Sequence, residues 1–225
     1  MLLGPSLLCA TVGFAVGCAL RSPADRLASA GPSAVPARSH APAALTLGAV
    51  TAVLFTTLAW RLGPGLDLVA FFALAAGGVV LALVDLRTLR LPDIVTGAIL
   101  LAGLSLLGIE ALAVDEIGSY VRALAGAIVL AAYHFALAVF RRGALGFGDV
   151  KLAAVLGLHL SWLGWGELIA GAALSFVGAG TTAAFMLASG RARLDTPLAF
   201  GPWMLLGALG GILFGAELTE AYRTW

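Results

Sequence analysis

Two aspartates, Asp85 and Asp149, lie at opposite kinds of helix end in an otherwise apolar chain. Asp85 ends an apolar run in "VVLALVDLRTLRLPD", where the helix dipole disfavours an anion. Asp149 opens a run after Gly146-Phe147-Gly148 in "GALGFGDVKLAAVLG", where exposed backbone N–H groups favour an anion. Two carboxylates in unlike electrostatic settings are the arrangement used for acid–base chemistry on a water molecule. From the helix ends alone, we predict that Asp85 retains its proton and that Asp149 acts as the base.

The candidate acids differ in how well a simpler explanation fits them. Asp149 taken alone is also explained as an N-terminal helix cap, for which Asp is a preferred residue. Asp93 begins another apolar run after a proline, so capping is the favoured interpretation there. Asp85 has no capping role, because its position opposes the dipole and only Arg87 or Arg90 is expected to compensate its charge. Ionisable residues in membrane segments are costly and often functional, so Asp85 is the strongest candidate.

The elements that must position these acids are predicted to be transmembrane helices. The chain has 225 residues, of which 61% are hydrophobic and 11% charged, and its mean hydropathy is +1.03. This composition excludes a soluble protein and predicts an all-α bundle of about eight spans, because side chains facing lipid must be apolar. Most runs reach the ~20 residues needed to cross the hydrocarbon core, and the sixth is the shortest. The runs lie at about 2–20, 44–62, 66–84, 94–112, 120–140, 150–164, 166–188 and 198–216.

The distribution of basic residues predicts the orientation. If the N-terminus lies outside and each run crosses once, ten Lys and Arg residues fall on the cytoplasmic side and three outside. The cytoplasmic group is Arg21, Arg26, Arg38, Arg87, Arg90, Arg141, Arg142, Lys151, Arg191 and Arg193. The outer group is Arg61, Arg122 and Arg223, near an expected interfacial belt of Trp60, Trp162 and Trp165. We therefore predict a multi-pass cell-membrane protein with both termini outside and both aspartates at the cytoplasmic face.

The predicted domain organisation is a first transmembrane helix at 1–20, a short cytoplasmic linker at 21–43 and a transmembrane domain at 44–225. The linker is rich in Pro, Ser and Ala, which indicates flexible chain rather than a folded domain. A signal peptide is the alternative for the first run, but a basic n-region is missing and a retained helix is favoured. Near the other end, Gly207, Gly211 and Gly215 recur every four residues, and we expect them to let another helix pack closely.

Other kinds of site find little support in the sequence. Cys9 and Cys18 both lie in the first apolar run without a CxxC pair, so no zinc or redox site is expected. No basic patch is interleaved with aromatics, which argues against nucleic-acid binding. His134 is expected to bond a neighbouring helix, and His159 lies near the outer end of the sixth run. Neither His134 nor His159 has a second metal ligand at a suitable spacing, and His40 in the linker has no expected role. No metal or cofactor is therefore expected.

Three segments, in order, carry a resemblance to a known family. "GFGD" fits the G-x-G-D motif of intramembrane aspartyl proteases, and "VDLRTLRLPD" with "GFGDVKLAAVLG" resembles the type IV prepilin peptidase family. "TPLAFGPWMLLGAL" is similar to the segment before the last helix of that family. The likeness covers residues ~66–214. G-x-G-D alone is a weak signal, whereas three ordered motifs on one predicted membrane face are specific.

The resemblance implies an aspartyl endopeptidase that removes the short basic leader from prepilins and pseudopilins, usually after a glycine. It implies Asp85 and Asp149 as the catalytic pair, with precursor proteins and the lipid bilayer as partners. Lys151 is open to three interpretations: it attracts a substrate carboxylate, steadies Asp149, or is a snorkelling lysine. The residues expected to shape the site or contact substrate are Asp93, Gly146, Gly148, Lys151, Gly201 and Pro202.

The chain departs from the family in the segment after its first helix. Fuller family members carry a cysteine-bearing cytosolic insert associated with N-methylation, and residues 21–43 contain no cysteine, so methylation dependent on S-adenosylmethionine is not expected.

Two rival functions would also use the two aspartates. A proton-coupled transporter or channel would use Asp85 and Asp149 to carry protons. A non-catalytic pilus or secretion scaffold would use them only as caps. Neither rival explains three ordered motifs.

Overall fold

The computed structural model describes residues 3–29, 44–140, 146–191, 193 and 196–223. Within these ranges all regular secondary structure is α-helical, which confirms the predicted all-α class. Seven of the helices are long and apolar enough to span a membrane, and α6, at 17 residues, is not among them. The helices are α1 (Leu3–Ser29), α2 (Ala44–Leu62), α3 (Leu66–Thr88), α4 (Asp93–Ala113), α5 (Ile117–Phe140), α6 (Phe147–Leu163), α7 (Trp165–Ala188) and α8 (Gly201–Arg223).

The helix boundaries differ most from the predicted ones at α1 and α8. We expected α1 to end near residue 20, whereas it continues to Ser29 with Pro23 inside it. The added turns are polar on one side and carry the buried Ala24 on the other, so tertiary packing extends a segment that hydropathy assigns to the linker. Several predicted cytoplasmic residues lie outside the described ranges, namely Arg38, His40, Arg141 and Arg142.

One compact unit consists of Met1–Thr88 and Pro92–Asp115 and contains α1 to α4. The backbones of α1 and α2 approach closely where small residues face each other. A Cβ atom added to Gly17 would lie 2.8 Å from the Gly48 Cα atom, and one added to Gly13 would be equally crowded. Glycine is therefore required at this crossing.

Two contacts hold α3 within the same unit. Phe55 of α2 stacks on Phe72 of α3, with 4.1 Å between the ring centroids. At the start of α3, the Leu66 N–H group donates to Glu110 Oε2 of α4 at 3.1 Å, which satisfies one of the unpaired amides of the first turn. These contacts fix the helix that carries Asp85.

The second unit consists of Leu89–Leu91 and Glu116–Trp225 and contains α5 to α8. Helix α6 is buried at nearly every position from Leu152 to Trp162, which explains why it is apolar on all sides. It crosses α5 where Gly157 would meet the Ala127 Cα atom at 2.8 Å if it carried a Cβ atom. This helix begins with the "GFGD" segment, so its enclosure by protein holds the start of α6 in place.

The glycine repeat of α8 packs against α7, as the sequence predicts. A Cβ atom on Gly211 would lie 2.5 Å from the Glu167 carbonyl oxygen and 2.9 Å from the Gly171 Cα atom. One on Gly215 would lie 2.5 Å from the Glu167 Cα atom. The packing role expected for Gly207, Gly211 and Gly215 is confirmed.

The expected interfacial tryptophans differ in their exposure. Trp60 is 80% exposed and Trp165 44%, as the belt requires, whereas Trp162 is only 8% exposed. The expectation is wrong for Trp162, because α6 is enclosed by protein. In addition, Arg122 of α5 donates from Nε to the Ser161 carbonyl oxygen and from Nη2 to that of Trp162, both at 2.7 Å, and so caps the end of α6.

Candidate active site

Asp85 lies on the last turn of α3 and is only 4% exposed. The preceding helical turn contributes the buried apolar side chains of Leu81 and Val84. Burial disfavours the ionised form of a carboxyl group, and the C-terminal end of a helix disfavours it further. The residue singled out as opposing the helix dipole is therefore also a buried acid on an apolar membrane helix.

The arginine expected to compensate Asp85 has another partner. Arg87 Nη1 donates to Asp25 Oδ1 of α1 at 2.7 Å. Residues two positions apart on a helix do not face each other, which explains why Arg87 reaches α1. Arg90 is exposed beyond the end of α3. Arg87 therefore forms an ion pair between α1 and α3, and the compensation of Asp85 by Arg87 or Arg90 stays a prediction.

Asp93 is the first residue of α4 and is exposed. We expected it to cap the helix, but Pro92 holds the N-cap position, with φ −63° and ψ 123°. The Pro92 carbonyl oxygen accepts hydrogen bonds from the Val95 and Thr96 N–H groups and from the Thr96 hydroxyl. Asp93 thus lies in the first turn, where the helix dipole stabilises an anion.

Asp149 is half-buried in the first turn of α6. Its Oδ2 atom accepts a hydrogen bond from the Gly146 N–H group at 3.0 Å, and its own N–H group donates to the Gly146 carbonyl oxygen at 3.1 Å. The N-cap is Gly146, so Asp149 stabilises the helix start from three residues inside it. Asp149 therefore has the predicted capping role, although Gly146 rather than Asp149 holds the N-cap position. The hydrogen bond from the Gly146 N–H group also favours the ionised carboxylate.

The two glycines of "GFGD" have different local requirements. Gly146 has φ −82°, which any residue adopts, and an added Cβ atom would meet nothing closer than 3.7 Å. At Gly148 an added Cβ atom would lie 3.0 Å from the Leu91 Cβ atom, within the same unit. Only Gly148 is closely packed, so the two glycines do not contribute equally to the turn that presents Asp149.

The remaining predicted site residues also lie in the second unit. Lys151 is exposed on the second turn of α6, and its role stays a prediction. Gly201 is the buried first residue of α8, and Pro202 follows it, as suits a helix start where no N–H donor is needed. The Phe200 carbonyl oxygen accepts hydrogen bonds from Trp203 and Met204 N–H groups and closes this first turn.

Aromatic contacts that the sequence did not predict connect two of the motif segments in this unit to α5. Phe200, next to Gly201, packs on Phe176 of α7 with 5.3 Å between ring centroids, and Phe176 stacks on His134 of α5 at 5.7 Å. Nearby, Phe147 of "GFGD" contacts Phe135 edge-on at 6.2 Å. Local sequence carries no signal for these contacts, because the rings come from four helices or their ends.

His134 differs from its expected role. Its Nδ1 atom lies 3.0 Å from the Leu130 carbonyl oxygen of its own helix, not of a neighbouring one. The ring is 2% exposed. His159, completely buried in α6, bonds the Val155 carbonyl oxygen in the same way at 2.8 Å. Across the described part of the chain, no three His, Cys, Asp or Glu residues are grouped to bind a metal ion.

The structure thus describes two sets of candidate residues, one in each unit. Asp85 and Asp93 flank the end of α3 and the start of α4 in the first unit. The second unit brings together Gly146, Gly148 and Asp149 at the start of α6, with Gly201 and Pro202 at the start of α8. The pairing of Asp85 with Asp149 around one water molecule stays a prediction.

The multi-pass helical fold and these aspartates agree with a family comparison. The model of the type IV leader peptidase family matches residues 72–215, which include every predicted site residue. The chain belongs to the type IV leader peptidase family. The resemblance inferred from the three motifs is therefore confirmed.

The chain is also similar to curated proteins from several bacteria. The chain is similar to proteins named "Prepilin leader peptidase/N-methyltransferase" from Pectobacterium carotovorum subsp. carotovorum, at 36% identity over 67% of this chain and 53% of the relative. Those from Dickeya chrysanthemi (36%, 71% and 55%) and Aeromonas hydrophila (32%, 78% and 59%) are also similar. The chain spans about half the length of these relatives. No solved structure matches it significantly.

Proposed function

We propose that this chain is a membrane-embedded aspartyl endopeptidase that removes the basic leader from type IV prepilin or pseudopilin-like precursors. The observation that carries the proposal is the buried Asp85 at the end of an apolar membrane helix, inside the range that matches the family. The names of the relatives, which include leader peptidase, indicate the substrate class. Asp149, at the start of α6, is the proposed partner.

In the proposed mechanism Asp85 is the acid and Asp149 the base. The Asp149 carboxylate takes a proton from water as the water oxygen attacks the scissile carbonyl carbon, and Asp85 gives its proton to the carbonyl oxygen. The resulting diol collapses when Asp149 passes a proton to the leaving nitrogen, the C–N bond breaks, and Asp85 takes a proton back from a hydroxyl group. Both carboxyl groups then return to their starting states.

The unlike environments of the two carboxyl groups support this assignment. Burial and the C-terminal end of α3 favour neutral Asp85, whereas the N-terminal end of α6 and the Gly146 N–H group favour ionised Asp149. Environments that push two carboxyl groups toward different protonation states are the general basis for dividing acid and base roles.

The substrate proposed is an apolar helix preceded by a charged leader. Such a helix enters the bilayer beside the enzyme and leaves the scissile bond at the depth of the membrane interface. A glycine before that bond lets the backbone extend into the site without a side-chain clash. The excess of basic residues in the predicted inner segments supports a site at the cytoplasmic face of the cell membrane.

The proposal covers leader removal only. The names of the relatives also include an N-methyltransferase. Fuller family members associate that activity with a cysteine-bearing insert after the first helix, and residues 21–43 of this chain contain no cysteine. We therefore propose that this chain cleaves precursors without methylating them.

Co-expression with a candidate prepilin tests the proposal through loss of the leader on a gel. Asp85→Asn and Asp149→Asn should each abolish cleavage at unchanged membrane abundance, while Asp93→Ala should reduce it less. Asp67→Asn is a matched control, because Asp67 lies in the first turn of the same helix as Asp85 and should be dispensable for cleavage. Normal cleavage by either of the first two variants would refute the assignment.

A further inference from the structure

Helix α1 is bound to the Asp85 end of α3 by a charge-assisted hydrogen bond. Arg87 Nη1 and Asp25 Oδ1 are 2.7 Å apart, and the Arg87 and Asp25 side chains are 29% and 42% exposed. Arg21, one turn before Asp25 on α1, places Nε 3.7 Å from the other carboxylate oxygen. The shorter contact is the one between helices, so Asp25 is bound mainly to α3.

An apolar cluster connects the same helix ends. Ala24, adjacent to Asp25, is 1% exposed and packs with the buried Val80 and Val84 of α3. Val84 directly precedes Asp85, and Val95, which packs on the cluster from α4, lies two residues after Asp93. The complete set is Ala24, Val80 and Val84 with Leu20, Leu27, Leu83 and Val95 around them. The Asp85 end of α3 thus packs against α1 and against the start of α4.

The end of α3 needs support from outside the helix. The last carbonyl groups of a helix have no partner within it, so the terminal turn frays unless other groups hold it. The next residue, Leu89, has φ 53°, a left-handed conformation that is unfavourable for a leucine. Asp85 lies on this terminal turn, and its position therefore depends on contacts such as that between Arg87 and Asp25.

We propose that Asp25 is a positioning residue that acts through Arg87 to hold Asp85 in its catalytic position. The proposal rests on the proposed function. It gives a role to α1, which lies outside the range matched by the family and outside the three motifs. Asp25 acts on the terminal turn of α3, so its loss should lower the rate of the chemical step more than substrate binding.

Kinetics of the full chain in detergent test this role, with a precursor peptide as substrate. Asp25→Asn and Arg87→Gln should each lower kcat by about 3- to 10-fold with KM within about twofold. The double variant should be no slower than either single variant, because both remove the same contact. Asp25→Glu, and the exchange Asp25→Arg with Arg87→Asp, should recover most of the rate. Arg21→Gln, which removes only the longer contact, should remain near the wild-type rate.

A labelling experiment tests the same role independently of cleavage. In a variant without native cysteines, a Val84→Cys probe is buried beside Asp85, so maleimide reacts slowly. Asp25→Asn should raise its labelling rate at least about threefold at a temperature well below unfolding, and the charge exchange should reverse the increase. Unchanged labelling, or unchanged kcat in an enzyme that Asp85→Asn inactivates, would overturn the role of Asp25 and leave the proposed function intact. Absence of cleavage by the wild type would instead count against the function.

Discussion

At the scale of single residues, burial separates the two proposed catalytic acids. Asp85 is enclosed on the last turn of α3, whereas Asp149 is half-buried and accepts a hydrogen bond at the start of α6. The sequence predicted that the two acids lie at opposite kinds of helix end, because position along a helix is local information, but it did not predict their difference in burial. It did not predict that Asp25 pairs with Arg87, since the two residues are 62 positions apart and no motif includes Asp25.

The acid and base roles predict a pH–rate profile with two limbs. At low pH both carboxyl groups are protonated and no base remains, and at high pH both are ionised and no acid remains. The wild-type kcat/KM should therefore fall on both sides of an optimum, with apparent values that belong to the pair. Measuring cleavage of one peptide across the pH range checks this. A profile with a single limb would argue against a shared proton.

The two glycines of "GFGD" give a matched pair of substitutions. Gly148→Ala places a methyl group about 3.0 Å from the Leu91 Cβ atom, so Leu91 or the start of α6 must move by a few tenths of an ångström. We expect a loss of about 1 kcal/mol or more in stability and a marked loss of cleavage. Gly146→Ala has room for its methyl group and should be nearly neutral. Thermal unfolding in detergent and cleavage assays compare the two, and equal effects would contradict the packing argument.

At the scale of helices, hydropathy predicted where most elements lie but not how they are held. The runs at 44–62 and 66–84 correspond closely to α2 and α3. The extension of α1 to Ser29 was missed because its buried residues are two alanines, Ala24 and Ala28, among polar neighbours. Trp162 was misplaced because hydropathy alone does not tell whether an apolar helix faces lipid or protein.

The crossing of α7 and α8 predicts opposite outcomes for two glycines. Gly211→Leu inserts a side chain where even a Cβ atom would lie 2.5 Å from a backbone oxygen, so the helices must separate. We expect a loss of about 3 kcal/mol, at the upper end for overpacking. Gly180→Leu on α7 meets open space and should leave the melting temperature unchanged or slightly higher, since leucine favours helix. Melting curves in one detergent measure both. Similar destabilisation by the two variants would show that the crossing is not responsible.

At the scale of the whole molecule, the count of crossings depends on α6. Its 17 residues extend about 25 Å, less than the ~30 Å hydrocarbon core. Its burial explains how a short helix is accommodated, because neighbouring helices rather than lipid surround it. The alternation of basic residues nevertheless predicts that α6 crosses, since otherwise Arg191 and Arg193 would lie outside. The distribution of basic residues thus predicts eight spans, whereas the length of α6 alone does not.

Cysteine labelling in membrane vesicles tests that topology. After Cys9 and Cys18 are replaced by serine, single cysteines are introduced at the exposed Glu116, between α4 and α5, and at the exposed Arg191, after α7. An impermeant maleimide should label Glu116→Cys in right-side-out vesicles and Arg191→Cys only in inverted ones, because three crossings separate them. Labelling of both from the outside would mean that α6 does not cross the membrane. The reverse pattern would keep eight spans but place both aspartates at the outer face, where a cytoplasmic leader cannot reach them.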